Sequence, residues 1–304
     1  MPAISGVAPG LELGTTLGRI AGVGRWGEDP WSLVPLAIAL GLYGAGLMWL
    51  WRKAGSGRGI SFRHAAAFGA GWLILALALQ SPLHFWGERM FSAHMVEHEI
   101  VMVVAAPLLV VSRPLIPFLW AMPIAWRRKL GGMRRLRGFR PIWEGATRPL
   151  TAWIAHAAVL WVWHIPAVFR AALASEALHA VQHVCFLAAA LLYWWSLLCR
   201  REGADMQGAG VVSLFATSVQ TALLGALLTL SSAARYGTDP RFAAICGLTP
   251  LEDQQQAGLI MWVPAGLTYV GAALVLMLRL FGAAERRAQL WMAGLPPYPS
   301  DQRP

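Results

Sequence analysis

Seven separate stretches of this chain are apolar for long enough to cross a bilayer, and nothing else in the sequence constrains the fold as strongly. A spanning helix needs about 20 mostly apolar residues. The stretches cover residues 31–51, 64–80, 94–111, 150–164, 178–199, 210–230 and 258–281, the second and fourth being the shortest. Inside a bilayer every backbone polar group must find its partner within the protein, so single segments like these can only be helices. The chain therefore reads as all-α, a polytopic bundle of seven transmembrane helices. It divides into an outer N-terminal segment (1–30), the seven-helix domain (31–281) and a cytoplasmic tail (282–304). The composition agrees: 57% of residues are hydrophobic and 13% charged, against roughly a quarter charged in average globular chains. The segment 115–124, with Pro117 and Pro123, is too short to span and reads as an interfacial piece.

Charge orients the bundle. The net charge of +10 would suggest nucleic acid in a soluble protein, but the basic residues gather in a few loops between apolar runs. Loop one carries Arg52, Lys53, Arg58 and Arg63. The third connection carries Arg113, Arg127, Arg128, Lys129, Arg134, Arg135, Arg137, Arg140 and Arg148. Arg200 and Arg201 follow the fifth stretch; Arg279, Arg286, Arg287 and Arg303 follow the seventh. These nineteen of the 25 Lys and Arg fall on alternate loops, and Arg19, Arg25, Arg89, Arg170, Arg235 and Arg241 on the others. Cationic loops stay in the cytoplasm, so the N-terminus is expected outside and the C-terminus inside, with membrane lipid and no nucleic acid as the surroundings. The first thirty residues lack a basic start followed by an apolar core, so no cleavable signal peptide is expected. Cys185, Cys199 and Cys246 have no metal-site or disulfide spacing.

With this topology, seven of the eight histidines lie in the outer half; His64 alone sits at the cytoplasmic end. His84 falls in the loop after the second stretch. "HMVEH" (His94–His98) opens the third and "HAVQH" (His179–His183) the fifth. Residues four apart share one helix face, so each pair is a candidate bidentate clamp. Imidazole suits zinc, copper, iron and nickel. His156 and His164 on the fourth stretch are expected within reach. Glu97 and Gln182 are candidate acceptors that orient the imidazoles. Asp253 is either an N-terminal cap of the seventh helix or an oxygen ligand. Met90, Met95 and Met261 are candidate soft thioethers, with packing as their ordinary role. Ionisable groups in a membrane segment are functional candidates by default.

HMVEH also fits the H-x-x-E-H pattern of metalloproteases, in which the glutamate activates a metal-bound water. The second copy carries Gln182, which cannot act as a base, so the repeat favours holding a ligand over catalysis and the chain is read as a non-enzyme. Other readings remain open: axial histidines for haem, a zinc site, a quinone-linked oxidoreductase, or a structural protein without cofactor.

The stretches "FSAHMVEHEIVMVVAAPLLVVSRPL", "WVWHIPAVFRAAL", "ALHAVQHVCFLAAALLYWW" and "DQQQAGLIMWVPAGLTYV" resemble, in this order, the motifs of the CtaG family of cytochrome c oxidase assembly factors, the type linked to caa-type oxidases. The resemblance runs from about Leu36 to Phe281. It implies a seven-helix protein of the bacterial inner membrane that helps mature an oxidase metal centre, with copper as the expected metal and oxidase subunits as partners. His94, His98, His164, His179, His183 and Asp253 stand at the family's motif positions. Glu97 stands where relatives often carry glutamine, which counts against a catalytic role.

Overall fold

A computed structural model describes residue 26 and residues 29–133, 138–199 and 204–293. The first helix, α1 (Pro30–Ala54), starts where Asp29 accepts hydrogen bonds from Trp31 N and Ser32 N (3.0 and 3.1 Å), with Pro30 in the first position. It ends at Gly55, whose φ of 93° suits glycine. The helices that follow are α2 (Phe62–Gln80), a short α3 (Pro82–Gly87), α4 (Phe91–Val111), α5 (Leu115–Ala121), α6 (Ile124–Met133) and α7 (Phe139–Ala146). Then come α8 (Pro149–Trp163), α9 (Pro166–Leu173), α10 (Glu176–Leu198), α11 (Ala204–Thr229), α12 (Pro240–Ile245) and α13 (Pro250–Met292). The molecule is all-helical, with no strand among the described residues. Six helices are long and apolar enough to cross a membrane, and α8 with α9 forms a seventh span if the bent pair counts as one.

Each expected stretch is present, and the differences have local causes. The fourth helix stops at Trp163 and turns by 74° into α9, because Pro166 cannot continue it. The seventh does not end near Phe281 but runs on to Met292: Ala, Glu, Arg, Gln and Leu after the apolar run are good helix formers. The expected boundary between membrane domain and tail thus falls inside one helix. The 115–124 piece is α5, too short to span, packed on α1. Arg19, Arg25, Arg134, Arg135, Arg137, Arg200, Arg201 and Arg303, and with them most of the terminal segments, lie outside the described residues.

Cross-links between helices bring one set of ends together. Gln80 at the end of α2 bonds the Asp29 carbonyl at the start of α1 (2.9 Å) and also Ser32. Asp253 on α13 bonds the start of α4, and Tyr236 Oη donates to the His164 carbonyl at the end of α8 (2.6 Å). This is the histidine end of the bundle.

Lipid removes the hydrophobic drive for helices to associate, so close packing must replace it. Between α11 and α13 the means is glycine. A β-carbon on Gly258 would lie 2.6 Å from the Gly225 carbonyl oxygen, and one on Gly225 would be 2.7 Å from Trp262 Cβ. Gly266 and Gly271, further along α13, have no such neighbour.

Helix α4 is the most buried span, and its middle is π-helical from Ile100 to Ala105. Pro107 explains this. Its ring would strike the Val103 carbonyl in a regular α-helix, and a π-turn relieves the clash. Ala106 N then bonds Val101 O, five residues back. The next carbonyl, Met102 O, has only Pro107 at that spacing, and proline has no N–H to give. Trp194 Nε1 from α10 donates to it at 2.9 Å. The two helices that carry the histidine pairs are thereby pinned in register below the pairs.

Candidate metal centre

The two pairs are matched because their helices start alike. The cap of α4 is Met90 and that of α10 is Ser175. His94 and His179 are therefore each the fourth helical residue, and His98 and His183 each the eighth. At 1.5 Å per residue the pairs enter the bundle to the same depth. The rings meet: His94 and His179 stack with centroids 5.4 Å apart, and His98 and His183 meet edge-on at 5.4 Å. Within the pairs the centroids are 4.1 Å apart for His94–His98 and 4.5 Å for His179–His183.

His84, which sequence reading left in a loop, is the fifth ring. It stacks on His179 at 5.3 Å and lies 5.6 Å from His183. Serine 81 caps α3 through Leu83 N and so projects His84 back over the pairs. No motif marks His84; the only signal in the sequence is that it shares the outer half with six other histidines.

Glu97 sits at the centre. It is fully buried, and its Oε1 accepts from His84 Nδ1 at 2.8 Å. His183 Nε2 lies 3.3 Å from the same oxygen, too poorly aligned for a hydrogen bond. Burial by itself lowers the His84 pKa, but the Glu97 carboxylate against it more than reverses this and raises it to about 9. Gly87 lets the end of α3 come close enough: a β-carbon there would stand 2.8 Å from Glu97 Oε2. The Gly87 carbonyl faces His94 Nδ1 at 3.2 Å, which places the proton on Nδ1 and leaves Nε2 as a lone pair.

Buried polar atoms are ordinarily paired. Here Nε2 of His94, His179 and His183, both ring nitrogens of His98 and Oε2 of Glu97 are inaccessible and have no hydrogen-bond partner among the described residues. Two compact donor sets share His84: His84, Glu97 and His183, and nearer the surface His84, Glu88 and His179, each with ligand atoms within 4.8 Å of one another. A polar cavity of about 270 Å³ opens onto them, lined among others by the carboxylates of Asp29, Glu88 and Glu176 and by Arg89.

The other candidates lie elsewhere. His156 is fully buried but sits against Tyr193 and Tyr269, with ring centroids at 5.0 and 6.4 Å, and meets none of the five clustered rings. It lies midway along α8, apart from the pairs it was expected to join. Asp253, expected as a cap or an oxygen ligand, accepts from Phe91 N (2.8 Å), Ser92 N (3.1 Å), Ser92 Oγ (2.5 Å) and Thr238 Oγ1 (3.4 Å). It caps α4, a neighbouring helix, because Met90 offers no side-chain cap. Gln182 is buried, but among the described residues no hydrogen bond joins it to an imidazole. His164 is the residue after α8, beside Met95. Met90 faces the Cys246 thiol at 3.9 Å, away from the clustered rings.

The family model for the cytochrome c oxidase caa3 assembly factor matches residues 41–283, most of the chain and every element that builds this centre except the start of α1. The chain belongs to that family. No curated protein and no solved structure matches it. The histidine end of this cytochrome c oxidase assembly factor is thus defined by its own geometry: five imidazoles and one carboxylate at the mouth of a multi-helix membrane bundle.

Proposed function

We propose that this assembly factor holds a metal ion, copper, at the histidine end and passes it to an oxidase subunit during maturation of the oxidase metal centres. One observation carries the reading. Among the described residues, Glu97 and the imidazoles around it leave buried nitrogen and oxygen atoms with no hydrogen-bond partner; each neutral imidazole offers one lone pair, and a cation suits those lone pairs and the free Glu97 oxygen together. The donors are nitrogen and oxygen in an imidazole-rich set, which fits copper. His84, Glu97 and His183 would form the inner position; His84, Glu88 and His179 would form an outer one through which the ion arrives. The acidic mouth would draw cations toward it. The count of basic residues supports an outward-facing histidine end, so the ion would come from outside the cytoplasm.

Glu97 has the position of a protease base in HMVEH, but its Oε1 is held by His84. The repeat on α10, with Gln182, adds no second base. A porphyrin between α4 and α10 would have to part rings that now pack directly on one another.

The test is made in cells whose only copy is the His84→Asn/His183→Asn double variant. The oxidase should lose most of its copper and activity while the variant accumulates to the normal level in the membrane. A fully active, copper-replete oxidase would overturn the proposal.

A further inference from the structure

On the far side of α4 from His84 lies a pair that the five-ring centre does not use. His164 Nδ1 is 2.7 Å from the Leu160 carbonyl. A carbonyl only accepts, so the proton is on Nδ1 and Nε2 carries a lone pair. Nε2 points at Met95 Sδ, 3.4 Å away. A thioether sulfur has no proton to donate. Two lone-pair atoms therefore face each other in a buried place, against the apolar ring of Phe186. Protonating the imidazole would not mend this cheaply, since no carboxylate forms an ion pair with His164 among the described residues. A soft cation between the two atoms would. With bonds of about 2.0 Å to nitrogen and about 2.3 Å to sulfur, a 3.4 Å separation subtends roughly the tetrahedral angle, so one or two further ligands are called for. His98, three residues beyond Met95 on α4, is the candidate for one. It packs on the same Phe186 ring, with centroids 4.3 Å apart, and among the described residues both its nitrogens lack partners.

We propose that His164 Nε2 and Met95 Sδ, with His98 beside them, form a second metal site, selective for monovalent copper. Thioether sulfur favours Cu(I) and offers little to Zn(II). The inference rests on the reading of the neighbouring centre as metal-holding and narrows it: the ion is cuprous, and the Met95 site is its inner resting place. His98 is the link, since its ring also meets His183 at 5.4 Å. Copper stays in one oxidation state throughout, so no electron donor is needed.

The experiment uses the purified full chain in detergent, loaded with Cu(I) under anaerobic conditions and examined by X-ray absorption at the copper edge. The wild type should show a sulfur neighbour at about 2.3 Å. Met95→Leu, which keeps the side-chain volume, should lose that neighbour and about one equivalent of copper, with an unchanged melting temperature. Selenomethionine-labelled wild type should show copper from the selenium edge, which guards against a variant that folds poorly. Copper bound by nitrogen and oxygen alone, or a sulfur neighbour that survives Met95→Leu, overturns the Met95 site and leaves the Glu97 centre standing. A sulfur neighbour that persists in His84→Asn/His183→Asn with no copper lost does the reverse. A wild type that takes up no Cu(I) overturns both.

Discussion

HMVEH on α4 and HAVQH on α10 share a pattern, a helical position and a depth, yet the molecule treats the two helix starts differently. The α4 copy is tied in from outside its own helix. Asp253 of α13 caps it, α3 lays Gly87 over it, and Glu97 accepts a hydrogen bond from His84 Nδ1. The α10 copy is self-contained: Ser175 caps its own helix by accepting from Leu178 N at 3.4 Å, and Gln182 engages no histidine among the described residues. One pair is thus fixed by tertiary contacts, the other by local ones. The lesson is that a repeated motif fixes depth and spacing, while the residue inside the motif decides which copy organises the site.

That contrast can be broken where it is strongest. Glu97→Gln removes the carboxylate that, among the described residues, is the one fully buried against the five rings, and leaves His84 without its partner. Losing one member of a buried pair costs about 3–5 kcal/mol, so the thermal midpoint in detergent should fall steeply, and metal binding with it. An unchanged midpoint would mean that Glu97 does not organise the centre. Asp253→Ala comes next. It strips the cap from α4 and leaves buried donors unpaired, a loss of about 2–3 kcal/mol. Hydrogen exchange at Phe91 and Ser92 should speed up, while the copper equivalents bound at saturation stay the same because Asp253 is not a ligand. Loss of a full equivalent would return it to the ligand set.

The corresponding change on α10, Ser175→Ala, should cost only about 0.5 kcal/mol, since the cap is exposed and its bond long. A loss as large as that from Asp253→Ala would erase the difference between the helix starts. Gln182→Leu should cost nothing. The buried amide oxygen of Gln182 has no hydrogen-bond partner among the described residues and is a cost to the fold, so the melting temperature should hold or rise, with copper content unchanged. A drop in copper would make Gln182 a working member of the site.

Much of this was legible in the sequence. The spans followed from the length of apolar runs, and the equal depth of the pairs from the i, i+4 spacing at two helix starts. What was hidden depends on contacts between segments far apart in the chain. His84 carries no motif and joins the centre only because α3 folds back over α4. Asp253 looked like a cap for its own helix; its carboxylate serves another helix, 161 and 162 residues away in sequence. His156 lies on the same span as His164, but midway along α8, where it meets Tyr193 and Tyr269 instead of the pairs. The π-turn before Pro107, with Trp194 as its remedy, appears only once α10 is alongside.

The central claim is that a metal ion sits among His84, Glu97 and His183. The most direct measurement is copper per chain, determined by elemental analysis on purified, Cu(I)-loaded wild type and His84→Asn/His183→Asn protein side by side. The account predicts that the double variant loses at least one equivalent while keeping its helical content and melting behaviour. Equal copper in the two proteins, or none in the wild type, would contradict it.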